Sequence, residues 1–310
     1  MFAVAVLVMF GDVLLAGGAR IVSAPDDDVG RFFLHWYRFG FDELRKGHLV
    51  LWNPHVFAGT PFFAAFQPGL LYPPNWLYLV LPVGVGINVN VALHCFMAGL
   101  WTYLWATHRG LRPAAAVFAG LVFMFCGPHF LQVYRGHLPN LCTLIWTPLI
   151  LLAVDGVLQT RALGWVLLGI AAVAMQILAG HVQYVFYTAL IVGLYALLGW
   201  VRSMHRWRAA SALVAIGAGA VCVVAVQLFA GLQAISECQR TGLRWVDAKS
   251  YAFPPENVLT LVLPGFFGDM IGTPYWGQWT LTEVSLFIGT AASLLALYGV
   301  VHGARDVTRP

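Results

Sequence analysis

Three carboxylates stand side by side at Asp26, Asp27 and Asp28. Adjacent acids raise one another's proton affinity and attract divalent cations, so the group suits a general base or a ligand for Mg2+ or Mn2+. The same run also reads as a solvated acidic cap on a helix. Two histidines each follow a glycine, in Arg135-Gly136-His137 and in Gly180-His181-Val182-Gln183, and Glu283 opens a late apolar run. Imidazole donates, accepts or carries a proton near neutral pH, and it equally caps a helix end or bonds a loop carbonyl. An acid at the start of a helix favours the dipole whatever else it does. Arg31, Arg38, Arg135, Arg240, Arg244 and Lys249 supply the fixed positive charge that a lipid phosphate needs, with Arg135 and Arg244 the preferred pair. Ordinary headgroup contact accounts for the same residues.

A mostly apolar chain has to position these groups. Its 310 residues are 60% hydrophobic and only 10% charged, with a mean hydropathy of +0.78, whereas a soluble domain carries about 25% charged residues. Lipid is therefore the expected solvent. In lipid every backbone polar group must be satisfied internally, so helices are expected, each needing about 20 apolar residues to cross. The net charge of +4 is not backed by a basic cluster interleaved with exposed aromatics, so no nucleic-acid partner is expected. The five cysteines have no CxxC spacing and lie mostly in apolar runs, which supports neither a zinc site nor a disulfide framework.

Apolar runs at about 2–22, 84–106, 114–131, 140–154, 162–180, 182–201, 209–235 and 284–301 predict an all-α polytopic membrane protein of about eight transmembrane helices. They form one domain over 1–310. The alternate loops carry Arg109, Arg112, Arg161, Arg202, Arg206, Arg208, Arg305 and Arg309 against Asp155 and Asp306 alone. Positive charge marks the cytoplasmic side, so these loops are expected inside. The first run also ends in small residues up to Ala24, which reads as a signal-peptide cleavage site, and either reading leaves the next segment outside.

The long loops at about 23–83 and 236–283 then face outward and hold most of the acids. The first is too apolar to float free and predicts short interfacial helices and turns, with Trp52, Trp76 and Tyr78 at headgroup depth. Asp12 falls inside the first run, where an acid is functional or turned inward and hydrogen-bonded. His94 reads as a bundle-packing residue. The topology puts Asp28, His137, His181, Gln183 and Glu283 at the outer ends of helices, so one shared site is expected.

An ordered series of motifs carries a resemblance through nearly all of the chain. After the acids come LWNPHVFAGTPF (Leu51–Phe62), YPPNWLYLVLP (Tyr72–Pro82), RGHLPNL (Arg135–Leu141), LAGHVQYVFY (Leu178–Tyr187), FPPENVLTLVLPGFFGD (Phe253–Asp269) and YWGQWTLTEVSLFIGT (Tyr275–Thr290). This order resembles the bacterial YfhO-type membrane proteins, which are similar in fold to the GT-C glycosyltransferases.

The resemblance implies a GT-C-like core with a long first outer loop, in the bacterial cytoplasmic membrane. It implies a sugar moved, with inversion, from a polyprenyl-phosphate donor to an extracytoplasmic envelope polymer, lipid or protein. It further implies Asp28, then Asp27, as catalytic base, with Glu283 as a second catalytic acid. His137, His181, Gln183, Arg135 and Arg244 would bind substrate, and Asp26 with Asp28 would hold a divalent metal if one is used. Family chains are longer, so this chain corresponds to the N-terminal part of such a protein. Two other functions remain open: a transporter or flippase for a lipid-linked sugar, and a non-catalytic membrane subunit of envelope assembly. The near absence of charge within the runs argues against the transporter.

Overall fold

In a segment without prolines and rich in apolar residues, nothing stops a helix, and Val83–His108 forms one of 26 residues (α3). At about 1.5 Å per residue it exceeds the roughly 30 Å of a hydrocarbon core. It ends at Gly110, which takes a left-handed φ of 82°. The computed structural model describes residues 1–24, 27–160, 162–203, 206–237, 252–269 and 272–307. Two helices precede α3, namely α1 (Phe2–Leu14) and α2 (Leu34–Arg45). After it come α4 (Pro113–Met124), α5 (Gly127–Arg135), α6 (Leu138–Leu144), α7 (Thr147–Gln159), α8 (Leu163–Leu178), α9 (Val182–Arg202), α10 (Arg206–Val223), α11 (Ala225–Ser236), α12 (Leu281–Val284) and α13 (Thr290–Val307). Among the described residues the strands are limited to a two-stranded antiparallel pair, β1 (Trp52–Asn53) and β2 (Thr60–Pro61), with Trp52 opposite Pro61.

Among the described residues, five helical stretches are long and apolar enough to cross a membrane: Val83–His108, Pro113–Arg135, Leu138–Gln159, Val182–Arg202 and Arg206–Val223. The most enclosed is Leu138–Gln159. Helix α3 packs on α1, α4 and α7, and α8 packs on α7 and α10. Many large apolar side chains of α9, α10, α11 and α13 point outward, as lipid solvation requires.

Several predicted runs are interrupted, and the reasons are local. The first helix stops at Leu14 rather than reaching 22, because Gly17 and Gly18 turn the chain with φ of 57° and 88°. The run predicted at 114–131 breaks before Gly127-Pro128, since proline has no N–H to continue the ladder. The freed Gly127 N–H donates across the bundle to Phe287 O at 2.8 Å. The run at 140–154 extends to 159 but is interrupted ahead of Pro148. The run at 209–235 is broken at Val224. The last helix starts at Thr290, six residues later than predicted, leaving 285–289 non-helical.

A buried seam of polar side chains ties the long loop to the bundle. The Tyr72 hydroxyl meets His94 Nε2 at 2.8 Å and accepts from Trp146 Nε1 at 2.9 Å. Asn90 Nδ2 donates to Asn75 Oδ1 at 2.9 Å, and Asn88 bonds Val13 O, Arg20 O and the Val22 N–H. His94 is fully buried, as its predicted packing role requires. Such groups are costly when unpaired in an apolar interior, so a paired seam fixes the loop's register.

The loop itself folds as short elements: a π-helical turn at Val29–Phe33 leading into α2, then 3-10 turns at Phe63–Ala65 and Pro73–Leu79. Of the three aromatics predicted at headgroup depth, Trp52 and Trp76 are exposed. Tyr78 is not. It is fully buried between Tyr37 and Phe41, with ring centroids 4.6 and 5.2 Å away. Asp12 is exposed on α1 rather than turned inward. Asp155, predicted in a loop, lies within α7 and is buried there. It accepts from Trp105 Nε1 at 2.8 Å and Tyr195 Oη at 2.6 Å, with the Arg109 guanidinium 3.7 Å away.

Candidate functional site

The site grows from a turn between two short helices. Helix α5 ends at Arg135, Gly136 takes the left-handed conformation (φ 71°), and His137 caps α6. A Cβ on Gly136 would lie 2.7 Å from Asp27 Oδ2 and 2.7 Å from the Val29 N, so the first acidic segment packs directly on this turn. A second turn, between α8 and α9, holds His181. There Gly180 lies so close to Phe66 of the long loop that a Cβ would come within 2.7 Å of the Phe66 O.

The two described acids of the first group have different surroundings. Asp27 is buried, and its carboxylate accepts from the Ala24 N–H at 3.2 Å and the Gly30 N–H at 3.0 Å. It closes the turn that launches the Val29–Phe33 segment. Asp28 stays 36% accessible, and its Oδ2 lies 3.1 Å from His137 Nε2. A carboxylate with one oxygen on an imidazole and part of its surface open retains reactivity. One spent on buried backbone donors serves geometry instead.

Around His137 lies a short network. His137 Nδ1 faces Gln132 Oε1 at 3.1 Å, Asn140 Nδ2 donates to the same oxygen at 2.9 Å, and Gln132 Nε2 donates to Tyr184 Oη at 3.3 Å. Tyr184 also reaches the second histidine, because its backbone N–H donates to His181 Nδ1 at 3.4 Å. That bond requires an unprotonated Nδ1, so His181 holds its proton on Nε2. Burial, helped by the nearby His137, pushes the His181 imidazole down to about 4, and the ring is neutral at ordinary pH. Gln183 Nε2 donates to Tyr187 Oη at 2.6 Å.

A cavity of about 1170 Å³ joins these groups. Asp27, Asp28, Arg135, His137, His181, Gln183 and Glu283 all line it, at a volume above the roughly 300–1,000 Å³ usual for small-molecule sites. Residues predicted from four separate stretches of chain thus share one wall. Asp26 and Arg244 lie outside the described residues. Among the described residues no group of three or more His, Cys, Asp or Glu side chains converges as a metal-ligand set. Asp28 and Glu283 are the lining acids whose oxygen chemistry suits Mg2+ or Mn2+.

The sequence reading passed over Gln132, Asn140, Tyr184, Tyr187 and Trp279. Gln132 carried a signal, as a polar residue directly after the apolar run at 114–131. Asn140 and the tyrosines lay within the motifs quoted above, Asn140 and Tyr184 one helical turn from the histidines and Tyr187 one turn further on. Trp279 lines the cavity with a left-handed φ of 69°, a conformation that costs a side-chain-bearing residue on the order of 1–3 kcal/mol and often marks functional positions. Compared with known proteins, the chain matches no family model, no curated protein and no solved structure.

Proposed function

We propose that the protein is a GT-C-like glycosyltransferase of about eight transmembrane helices in the bacterial cytoplasmic membrane, acting on the extracytoplasmic side. It transfers a sugar from a polyprenyl-phosphate donor to an envelope acceptor. One observation carries the reading: Asp28, His137, His181, Gln183 and Glu283, far apart in sequence, line a single large cavity together with two arginines.

In this scheme Asp28 accepts the proton of the acceptor hydroxyl as that oxygen attacks the anomeric carbon and the phosphate leaves from the opposite face, so the configuration inverts. The neutral His181 directs its Nε2–H toward a developing oxyanion, while Arg31 and Arg135 neutralise phosphate charge. Gln183, Tyr187 and Trp279 present the mixed polar and aromatic surface that sugar hydroxyls and ring faces bind. Asp27 shapes the loop that carries Asp28.

The test is reconstitution of the protein in lipid with a panel of polyprenyl-phosphate sugars and envelope acceptors. Transfer by the wild type that is lost in Asp28→Asn supports the reading. Equal transfer by both removes the base, and lipid flipping without transfer would replace the reading with a flippase.

A further inference from the structure

The eleven residues YPPNWLYLVLP (72–82) return in the second long loop as PPENVLTLVLP (254–264), seven of them unchanged. Each copy folds as a 3-10 helix that starts on the equivalent proline, at Pro73–Leu79 and at Pro255–Leu261. The backbone bonds repeat as well. Asn75 N–H donates to Tyr72 O at 2.9 Å where Asn257 N–H donates to Pro254 O at 3.0 Å, and Leu81 N–H to Leu77 O matches Leu263 N–H to Leu259 O, both at 2.9 Å. Asn75 and Asn257 are both buried, as are Tyr78 and Thr260 one 3-10 turn on.

The copies differ in what covers them. Over the first lies α3, which begins directly after Pro82. Its Gly86 comes so close that a Cβ would lie 2.5 Å from the Tyr78 ring and 3.0 Å from Leu77 Cδ1. One turn later, Asn90 Nδ2 donates to Asn75 Oδ1 at 2.9 Å. The other end of that amide is tied to its own loop, Asn75 Nδ2 donating to Gly69 O at 3.3 Å. In the second copy Asn257 Nδ2 is tied to its own loop in the same way, donating to the Tyr275 hydroxyl at 3.2 Å. Its Oδ1, however, is buried with no hydrogen-bond partner among the described residues. Pro264 leads into turns instead of a helix. Leu259 and Leu263, the counterparts of the partly buried Leu77 and Leu81, are 46% and 52% exposed.

We propose that the second copy is a docking site for a membrane helix of a partner protein, one that presents a small residue and, four residues on, a side-chain N–H donor, as α3 presents Gly86 and Asn90. Lipid tails solvate exposed leucines but offer no donor to a buried carbonyl, and an acceptor left unpaired there costs free energy. Amide side chains bond between membrane helices, and small residues let the backbones approach. The surface adjoins the cavity, since Phe253, immediately before the repeat, lines it. The docking does not depend on which reaction the cavity performs.

The probe is a synthetic peptide of residues 83–108, the helix that covers the first copy. It is added to the full chain in lipid nanodiscs carrying a photo-crosslinking side chain in place of Leu263, or in place of the exposed Leu198 on α9 as control. Saturable crosslinking at 263 with little at 198 is expected, falling about 10-fold for peptides with Asn90→Leu or Gly86→Leu. These changes leave the protein untouched and make the peptide more apolar, so neither misfolding nor poor insertion explains a loss. Equal labelling at both positions, or labelling indifferent to both peptide changes, would mean that lipid covers the face and overturns the proposal. Crosslinks at 263 between two copies of the chain without peptide overturn it too, by giving the face to a second copy.

Discussion

His137 Nε2 and Asp28 Oδ2 lie 3.1 Å apart, although one residue caps α6 just after α5 and the other precedes a π-helical turn in the first loop. The carboxylate of the adjacent Asp27 instead accepts from the backbone N–H groups of Ala24 and Gly30. Neighbouring acids of the same type are therefore expected to fail differently when replaced.

Asp28→Asn should abolish transfer, with a loss of about 100-fold or more, while the melting temperature in detergent stays close to wild type. Asp27→Ala should do the reverse. It strands the Ala24 and Gly30 N–H groups, at a cost of roughly 1–3 kcal/mol in stability. Melting curves and transfer rates measured on the same preparations separate the two effects, and equal behaviour of the two variants would refute the division of roles.

Gly136→Ala should destabilise the fold by more than the roughly 1–2 kcal/mol of a left-handed alanine. The new Cβ would also press on Asp27 Oδ2 and the Val29 N, both 2.7 Å away. Gly47→Ala is the control, because Gly47 has φ of 84° with nothing within 4 Å of a Cβ. A smaller loss at Gly136 than at Gly47 in thermal unfolding would contradict the tight packing of the acidic loop on this turn.

Acid should weaken the protein through His181. Its imidazole is pushed down to about 4 by burial and by His137, whereas an unfolded histidine titrates near 6.5. Between these values the unfolded chain binds the proton and the folded one does not, so stability falls as pH drops from about 6.5 toward 4 and is fully present above that window. In His181→Gln this part of the pH dependence should vanish from melting temperatures recorded from pH 7 to pH 4. An unchanged slope would place the acid sensitivity elsewhere.

Tyr72→Phe should cost about 1–3 kcal/mol, since it leaves both His94 Nε2 and Trp146 Nε1 without the hydroxyl they share. Because the seam lies apart from the residues lining the cavity, transfer by protein that remains folded should persist. Denaturation in detergent gives the first quantity and reconstituted activity the second.

The sequence by itself determined the solvent and the element. A chain with so few charges and such long apolar runs has to satisfy its backbone in helices, and the motifs around His137, His181 and Glu283 marked where polar chemistry gathers. What it could not determine is where those helices break. Gly127-Pro128 is visible in the sequence, but the Phe287 carbonyl that accepts the freed N–H is supplied by a distant segment. Nor could it divide Asp27 from Asp28, or move Asp155 from an assumed loop into a helix, where it is buried against Trp105 and Tyr195 beside the exposed Arg109.

The physical reason is common to these cases. Hydropathy reports the average solvent of a stretch of chain. The reactivity of one carboxylate, or the proton on one imidazole, depends instead on two or three atoms within about 3 Å, and only the folded bundle brings Gln132, Tyr184 and Asp28 within that range of the two histidines.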